Sequence, residues 1–174
     1  DDAQRAAVLR RPAQREAASL LERAGRIVSD VRERGDAALR EYTERLDKVR
    51  LESFAVGADE FAAAEAALTD EQRAALRRAI DTVTRFHEQQ RVAPLSIETS
   101  PGVVCERMIV PLGAVGLYVP AGTAPLPSTA IMLAVPARIA GCPVRVLCTP
   151  PRPDGTADPA VLVAARLCGI EQVF

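Results

Sequence analysis

Apolar residues recur at spacings of three and four through the first half of the chain, the pattern of amphipathic helices. After a polar arm over residues 1–12, the first helix is predicted to begin at Ala13. It is expected to end at Gly35, where a glycine follows two arginines whose charge suits a helix carboxyl terminus. Asp36 can then cap a second helix over residues 37–46. The predicted apolar face of the first helix consists of Leu20, Leu21, Ala24, Ile27, Val28 and Val31.

Two further helices are predicted before residue 94. A short extended piece over residues 54–56 precedes an alanine-rich helix over about residues 59–68. Thr69 is then placed as an N-cap, with Gln72 three residues later as in a capping box. The helix that begins there is predicted to run to about Gln90. Its inner face is predicted to consist of Leu76, Ile80, Val83 and His87.

The pattern changes at Pro94, after which prolines, glycines and β-branched runs replace the charged helices. Alternating strands and helices with short loops predict a parallel sheet joined by right-handed crossovers. Ser128 is expected to cap a helix that is apolar nearly all round and therefore buried between layers. The predicted elements are a hairpin (97–99 and 103–110), strands at 114–119, 144–148 and 170–174, and helices at 129–140 and 160–167.

Composition narrows the functional classes. The 174 residues are 48% hydrophobic and 26% charged, which suits a globular α/β chain rather than a disordered one. The net charge of -1 and the aromatic content of 3% argue against a nucleic-acid partner. No apolar run is long enough to predict a membrane span. Four cysteines without a CxxC pair favour reduced thiols and a cytoplasmic location.

The segment from Gly116 to Gly122 is the main candidate for ligand binding. It follows a predicted strand and precedes the helix at Ser128, so its glycines and the helix amides suit an anionic ligand. The spacing matches neither GxGxxG nor GxxxxGK[ST]. By this pattern alone, a strand-to-helix loop without a ligand is favoured over a nucleotide site.

Other reactive side chains have structural interpretations that the pattern favours. His87, the single histidine, could be a base or a metal ligand, but its helical spacing favours a packed histidine. One histidine and scattered cysteines make a complete zinc site improbable. The cysteines could include a nucleophile, but buried, inert thiols are favoured; they are Cys105, Cys142, Cys148 and Cys168. Solvated ion pairs account for the helical acids Glu33, Asp36, Glu41 and Glu44.

Several sequence blocks resemble the histidinol dehydrogenase family, and together they cover nearly the whole chain. The match to the family's Phe-His-x-x-Gln lies at Phe86–Gln90, and the Gly-x-Tyr-x-Pro motif lies around Tyr118. The other blocks are Leu9–Pro12, Arg34–Asp47, Pro101–Val103, Gly113–Gly122, Ser128–Cys142, CTPP from Cys148 and AARLCGIEQVF to Phe174.

The resemblance implies a zinc-dependent, NAD-linked homodimer that oxidises L-histidinol through L-histidinal to L-histidine with two NAD. It implies incomplete Rossmann-like lobes, with the tyrosine of Gly-x-Tyr-x-Pro contacting NAD, a position occupied by Tyr118. Ala121 departs from the family's first glycine, while Gly122 keeps the second. The chain stops before the family's Gly-Gly-Ala-Gln segment, so no zinc ligand and no catalytic acid or base is assigned to it. His87 corresponds to no zinc-binding histidine of the family.

These implications give an expected organisation and two functional hypotheses. The expected parts are the arm over 1–12, a helix-rich first lobe with a hairpin over 13–112, and an incomplete Rossmann-like NAD-binding lobe over 113–174. In the first hypothesis the chain is the amino-terminal portion of a histidinol dehydrogenase and is inactive alone. In the second it is a free-standing, non-catalytic module that binds a nucleotide or a partner. Neither hypothesis includes nucleic acid or a membrane as a partner.

Overall fold

A computed structural model describes residues 4, 5, 17–121 and 124–174 of the chain. Most of the predicted polar arm, the start of the first predicted helix at Ala13, and Gly122 lie outside these residues. The described chain forms two compact units, one up to Leu46 and one from Asp47 to Phe174. The predicted division into an arm and two lobes concerns the family's longer architecture and stays a prediction.

The first unit is a pair of helices, α1 (Ala17–Arg34) and α2 (Asp36–Leu46). Gly35 between them has a φ of 59°, the left-handed conformation in which glycine ends helices, as predicted. Arg34 joins the two helices, since its guanidinium donates to the carboxylates of Asp30 at 2.6 and 2.7 Å and of Glu41 at 2.9 Å. Asp36 was expected to cap α2 but is its first residue, where its negative charge suits the helix amino terminus.

The first two helices of the second unit pack against a parallel sheet and share its hydrophobic core. They are α3 (Ala58–Ala67) and α4 (Asp70–Glu88). The predicted capping box at the start of α4 is confirmed. The Thr69 hydroxyl accepts from the Gln72 amide at 3.2 Å, and the Gln72 side chain accepts from the Thr69 amide at 2.9 Å.

The strands form a hairpin and a separate three-stranded parallel sheet. Strands β1 (Leu95–Ser100) and β2 (Val103–Arg107) pair antiparallel around a turn in which Gly102 has a φ of 80°. The parallel sheet has the order β3-β4-β5, with helices α5 and α6 as its crossovers. Its elements are β3 (Ala114–Tyr118), α5 (Pro127–Ile139), β4 (Val144–Cys148), α6 (Pro159–Leu167) and β5 (Gln172–Val173). This architecture confirms the predicted α/β fold class.

The core lies on one face of the parallel sheet. Leu117, Leu147 and Val173 in the strands, and Val119 directly after β3, lie on the face that packs against the helices, with at most 6% exposure. The intervening positions point away from the helices and are exposed, apart from Val146, which is half-buried. We call these positions the open face; they are Ala114, Gly116, Tyr118, Val144, Val146, Cys148, Gln172 and Phe174.

Three local expectations differ from the structure. Ser128 does not cap α5, because Leu126 is the N-cap and Pro127, with its fixed φ, begins the helix. Helix α5 is not buried all round, since Met132 is 61% exposed on the side away from the core. The extended piece at residues 54–56 forms no strand of its own, but the Val56 amide donates to the Val173 carbonyl at 2.9 Å beside β5.

Candidate functional site

The carboxyl ends of the three parallel strands meet at one edge of the sheet. Tyr118 ends β3 and is paired in register with Cys148, which ends β4. The backbone pairing continues beyond both residues, because the Val119 amide donates to the Cys148 carbonyl and the Thr149 amide to the Phe174 carbonyl, each at 2.9 Å. In open α/β sheets this edge is where ligands bind, so it is the candidate site.

Tyr118 presents an accessible aromatic ring at this edge. It is 62% exposed, whereas its neighbours Leu117 and Val119 are 6% and 0% exposed. The difference arises because side chains alternate between the faces of a strand, and Tyr118 lies on the open face. An exposed tyrosine with two torsions offers a flat apolar surface and one hydroxyl, which suits contact with a heteroaromatic ligand.

The loops at this edge are built by local hydrogen bonds. In the loop after β4, the Asp154 carboxylate accepts from the Thr156 amide at 3.0 Å and from its hydroxyl at 2.6 Å. These bonds hold the pKa of Asp154 below its usual range. Asp158 then caps α6 by accepting from the amides of Ala160 and Val161. The acids of this loop therefore have structural roles.

Thr149 is a polar residue at the site that the sequence did not single out. Its hydroxyl oxygen is buried and has no hydrogen-bond partner among the described residues. It directly follows Cys148, the last residue of β4, and its amide continues the pairing with Phe174. Its position directly after the last residue of an apolar strand could have identified it, since α/β sheets bind ligands at the carboxyl ends of their strands.

An apolar groove of about 500 Å³ lies between the α3–α4 turn and the first turns of α5 and α6. Its two polar members, Gln72 and Asp158, are engaged in helix caps. The remaining lining is alanine, leucine and proline, namely Ala67, Leu68, Ala75, Leu76, Pro125, Pro127, Pro159 and Ala160. The groove therefore offers packing surface but no group for catalysis.

His87 is half-buried on α4, and its ring meets Phe86 edge-on with centroids 5.5 Å apart. Phe86 is its neighbour in the chain, so this contact is local and the interpretation of a packed histidine stays a prediction. Phe86 itself is 65% exposed. No role in the candidate site is assigned to His87.

The cysteines divide into two pairs. Cys142 and Cys168 are buried, as predicted, and burial raises the pKa of the Cys168 thiol to about 11. Cys105 and Cys148 are exposed, so the expectation of four buried thiols is wrong for these two. Cys148 lies in an apolar strand as predicted, but at a position of the open face, which the helices do not cover.

Within residues 4, 5, 17–121 and 124–174, no group of three or more histidine, cysteine, aspartate or glutamate side chains could hold a metal ion.

Among the helical acids, Glu41 forms an ion pair with Arg34. Asp30, which the sequence did not single out, shares that guanidinium. The hydrogen bond from Arg34 lowers the pKa of Asp30 from 3.8 to about 2.

Comparison with known proteins decides the family. The model of the family described as histidinol dehydrogenase matches residues 9–174. The chain belongs to the histidinol dehydrogenase family. It is 56% identical over 174 residues to the histidinol dehydrogenase of Xanthomonas euvesicatoria pv. vesicatoria, covering 100% of this chain and 40% of that protein. The enzyme of the same name from Xylella fastidiosa strain 9a5c is 51% identical over 174 residues, again at 100% and 40% coverage.

A solved structure supports the same assignment. The crystal structure of histidinol dehydrogenase from Elizabethkingia anophelis matches with a TM-score of 0.84 and 37% identity, covering 94% of this chain and 37% of that one. The chain thus spans about 40% of the length of the curated histidinol dehydrogenases that it matches.

In the described part of the chain, none of the helices has both the length and the apolar character that a membrane span requires.

Proposed function

We propose that this chain is the amino-terminal, NAD-facing part of a histidinol dehydrogenase. Such an enzyme oxidises L-histidinol through L-histidinal to L-histidine, with two NAD as acceptors. Family membership supports the reaction, and the exposed Tyr118 at the carboxyl edge of the sheet supports the place of the cofactor. The single observation that carries the proposal is this ring, which stands at the edge where α/β sheets bind ligands.

The described residues fit NAD in part. Tyr118 would contact the cofactor with its ring, and the Thr149 hydroxyl, buried without a partner in the described chain, lies next to Cys148 at the same edge. When bound, NAD accepts hydride, and this chain's contribution is to bind and orient it. Ala121, where the family usually has glycine, is half-buried in the loop after Tyr118. Because alanine adds only a methyl group at this position, the loop still suits NAD.

The described residues do not fit zinc, since they form no cluster of suitable ligands. By the family resemblance, we assign the zinc ligands and the acid/base pair to the part of the family polypeptide that this chain does not span. The homodimeric state, L-histidinol as substrate and the cytoplasmic location belong to this proposal by family resemblance.

Replacement of Tyr118 tests the proposal. The protein to use is this chain joined at Phe174 to the part of the Xanthomonas enzyme that it does not match. Tyr118→Ala should weaken NAD binding by about tenfold or more, the loss of roughly 1.4 kcal/mol expected for one aromatic contact. Tyr118→Phe should keep most of the affinity. Tyr42→Ala, at the chain's other tyrosine, is the matched control and should leave the NAD affinity unchanged. Unchanged NAD affinity in Tyr118→Ala would remove Tyr118 from the site.

A further inference from the structure

A pocket rich in arginine lies between the two helices of the first unit. Its volume is about 280 Å³. Three of the residues that line it are arginines, and none of them is an acid. The pocket therefore combines positive charge with apolar side chains. The lining residues are Arg23, Arg26 and Ile27 of α1 and Tyr42, Arg45 and Leu46 of α2.

The spacing of these residues explains why they share one pocket. Arg26 and Ile27 follow Arg23 by three and four positions, and the two lining residues after Tyr42 follow it at the same spacing. Residues three and four apart lie next to each other on one face of a helix. Each helix therefore contributes one face to the pocket, and each face carries at least one guanidinium.

The Arg45 guanidinium is placed over an aromatic ring. Its central carbon lies 4.7 Å from the centre of the Tyr42 ring, within the range at which a cation is attracted to a ring face. Tyr42 is itself half-buried between the helices, so it gives the arginine a fixed support. A guanidinium has five N–H donors, which is more than one ring or one carboxylate can engage. Arg45 can therefore also donate to a ligand.

Two acids of the first unit are neutralised mainly by an arginine that does not line the pocket. Arg34 donates to the Asp30 carboxylate at 2.6 and 2.7 Å and to the Glu41 carboxylate at 2.9 Å. These hydrogen bonds are the main cause that lowers the pKa of both carboxyls, and the charge of Arg45 contributes less. The positive charge of the pocket is therefore largely retained.

The ion pair between Arg26 and Glu22 is weak. The nitrogen and the carboxylate oxygen are 3.9 Å apart, which is longer than a hydrogen bond, and the side chains are 70% and 72% exposed. Exposed pairs of this kind contribute little to stability. An anion with two charges and several acceptor oxygens can therefore replace the Glu22 carboxylate as the partner of Arg26.

We propose that this pocket binds a small organic phosphate, a phosphate monoester with a compact apolar body. A phosphate monoester carries between one and two negative charges near neutral pH and offers three acceptor oxygens, which suits several guanidinium groups at once. Ile27 and Leu46 would contact the apolar body. The site goes beyond the proposed function. Its volume of about 280 Å³ suits a small ligand rather than a dinucleotide, so NAD binding does not report on it.

Calorimetric titration of the 174-residue chain with phenyl phosphate tests the proposal. At an ionic strength of about 0.15 M, we expect one site with a Kd below about 1 mM. Arg23→Gln and Arg45→Gln should each raise the Kd by about fivefold or more, because each removes a charge-assisted hydrogen bond. Circular dichroism checks that the helices persist. Arg23 is exposed, so its replacement tests the pocket without disturbing helix packing.

Arg32→Gln is the matched control. It removes the same charge from the same helix at an exposed position. Because each residue turns an α-helix by about 100°, Arg32 lies on the opposite side of α1 from Arg23. The Kd should therefore stay unchanged in this variant. An equal rise in Arg32→Gln and Arg23→Gln would overturn the proposal, since diffuse positive charge would then account for the binding.

Two further probes define the ligand chemistry. Inorganic phosphate should bind more weakly than phenyl phosphate because it lacks the apolar body. Benzoate should also bind more weakly, since it has one charge and two oxygens. Absent binding of phenyl phosphate would overturn the proposal, as would benzoate binding as tight as that of phenyl phosphate.

The same titration is repeated with the chain joined to the unmatched part of the Xanthomonas enzyme. We expect the site and the order of the three probes to persist there. Loss of phenyl phosphate binding in the joined protein would overturn the proposal, because the pocket would then be accessible only in the shorter chain. Phosphate binding that persists while NAD binding is absent would support this proposal and contradict the proposed function.

Discussion

Tyr118 and Cys148 are register partners at the carboxyl ends of two neighbouring parallel strands, and both side chains lie on the open face of the sheet. This relationship places an exposed aromatic ring and an exposed thiol side by side at the ligand edge of the fold. It also explains why neither residue joins the core, although both lie in apolar strands. The exposure of both side chains can be measured in solution.

The cysteines should react in two classes. Maleimide should modify Cys105 and Cys148 of the 174-residue chain rapidly and the other two slowly, because Cys142 and Cys168 are buried and the pKa of Cys168 is raised to about 11. Mass spectrometry of the peptides over a time course gives each rate. Rapid labelling of Cys168 in the folded chain would contradict its described burial.

The capping box should contribute measurably to stability. Thr69→Ala removes the hydroxyl that accepts from the Gln72 amide, and we expect a loss of about 1 kcal/mol in the free energy of unfolding. Thr82→Ala is the control, since the Thr82 hydroxyl merely donates to the Arg78 carbonyl within α4. Urea denaturation measures both variants. Equal losses would mean that the cap has no special role.

The ion pairs of the first unit should weaken in acid. The pKa of Asp30 is lowered from 3.8 to about 2, first of all by the hydrogen bond from Arg34. A carboxyl with a lowered pKa in the folded state stabilises that state above pH 3.8, and the contribution is lost as the pH falls to about 2. NMR titration of the Asp30 carboxyl should find its midpoint near the lower value.

Removal of the guanidinium checks the cause of that shift. In Arg34→Leu, the Asp30 midpoint should move up toward its ordinary value, because the donor and the positive charge are both lost. A midpoint that stays low in this variant would assign the shift to another group.

Truncation of a helix side chain should destabilise the fold more on the side that faces the core than on the exposed side. Leu162 on α6 is 0% exposed, so Leu162→Ala should cost about 2–5 kcal/mol of unfolding free energy through lost burial and a cavity. Met132→Ala, at a position of α5 that is 61% exposed, should cost less than about 1 kcal/mol. Calorimetry compares them. A larger loss at Met132 would contradict the described core.

Local sequence patterns were sufficient to predict most elements of the fold, although β2 (Val103–Arg107) and β5 (Gln172–Val173) are shorter than the predicted 103–110 and 170–174. The capping box at Thr69, the left-handed glycine at Gly35 and the β4 bounds Val144–Cys148 all depend on neighbouring residues, which the sequence displays. The prediction that Ser128 caps α5 was wrong because the sequence offers two possible helix starts. The helix begins at Pro127, whose fixed φ suits the first helical position.

The exposure of Cys148 could not be predicted in the same way. An apolar run such as that of β4 is expected to be buried on both faces, and only the tertiary structure shows that the helices cover one of them. The same reason explains why the sequence pattern alone gave a weak signal at Tyr118. Its accessibility depends on which face of β3 the crossover helices leave uncovered.

The most direct test of the account is histidinol oxidation by this chain alone and by the chain joined to the rest of the Xanthomonas enzyme. Because our proposal assigns the zinc ligands and the acid/base pair to the part of the family polypeptide that this chain does not span, the pure 174-residue protein should form no NADH from NAD and L-histidinol. The joined protein with added zinc should form it. Turnover by the pure chain in proportion to its concentration would contradict the account, as would a folded, zinc-loaded joined protein that forms none.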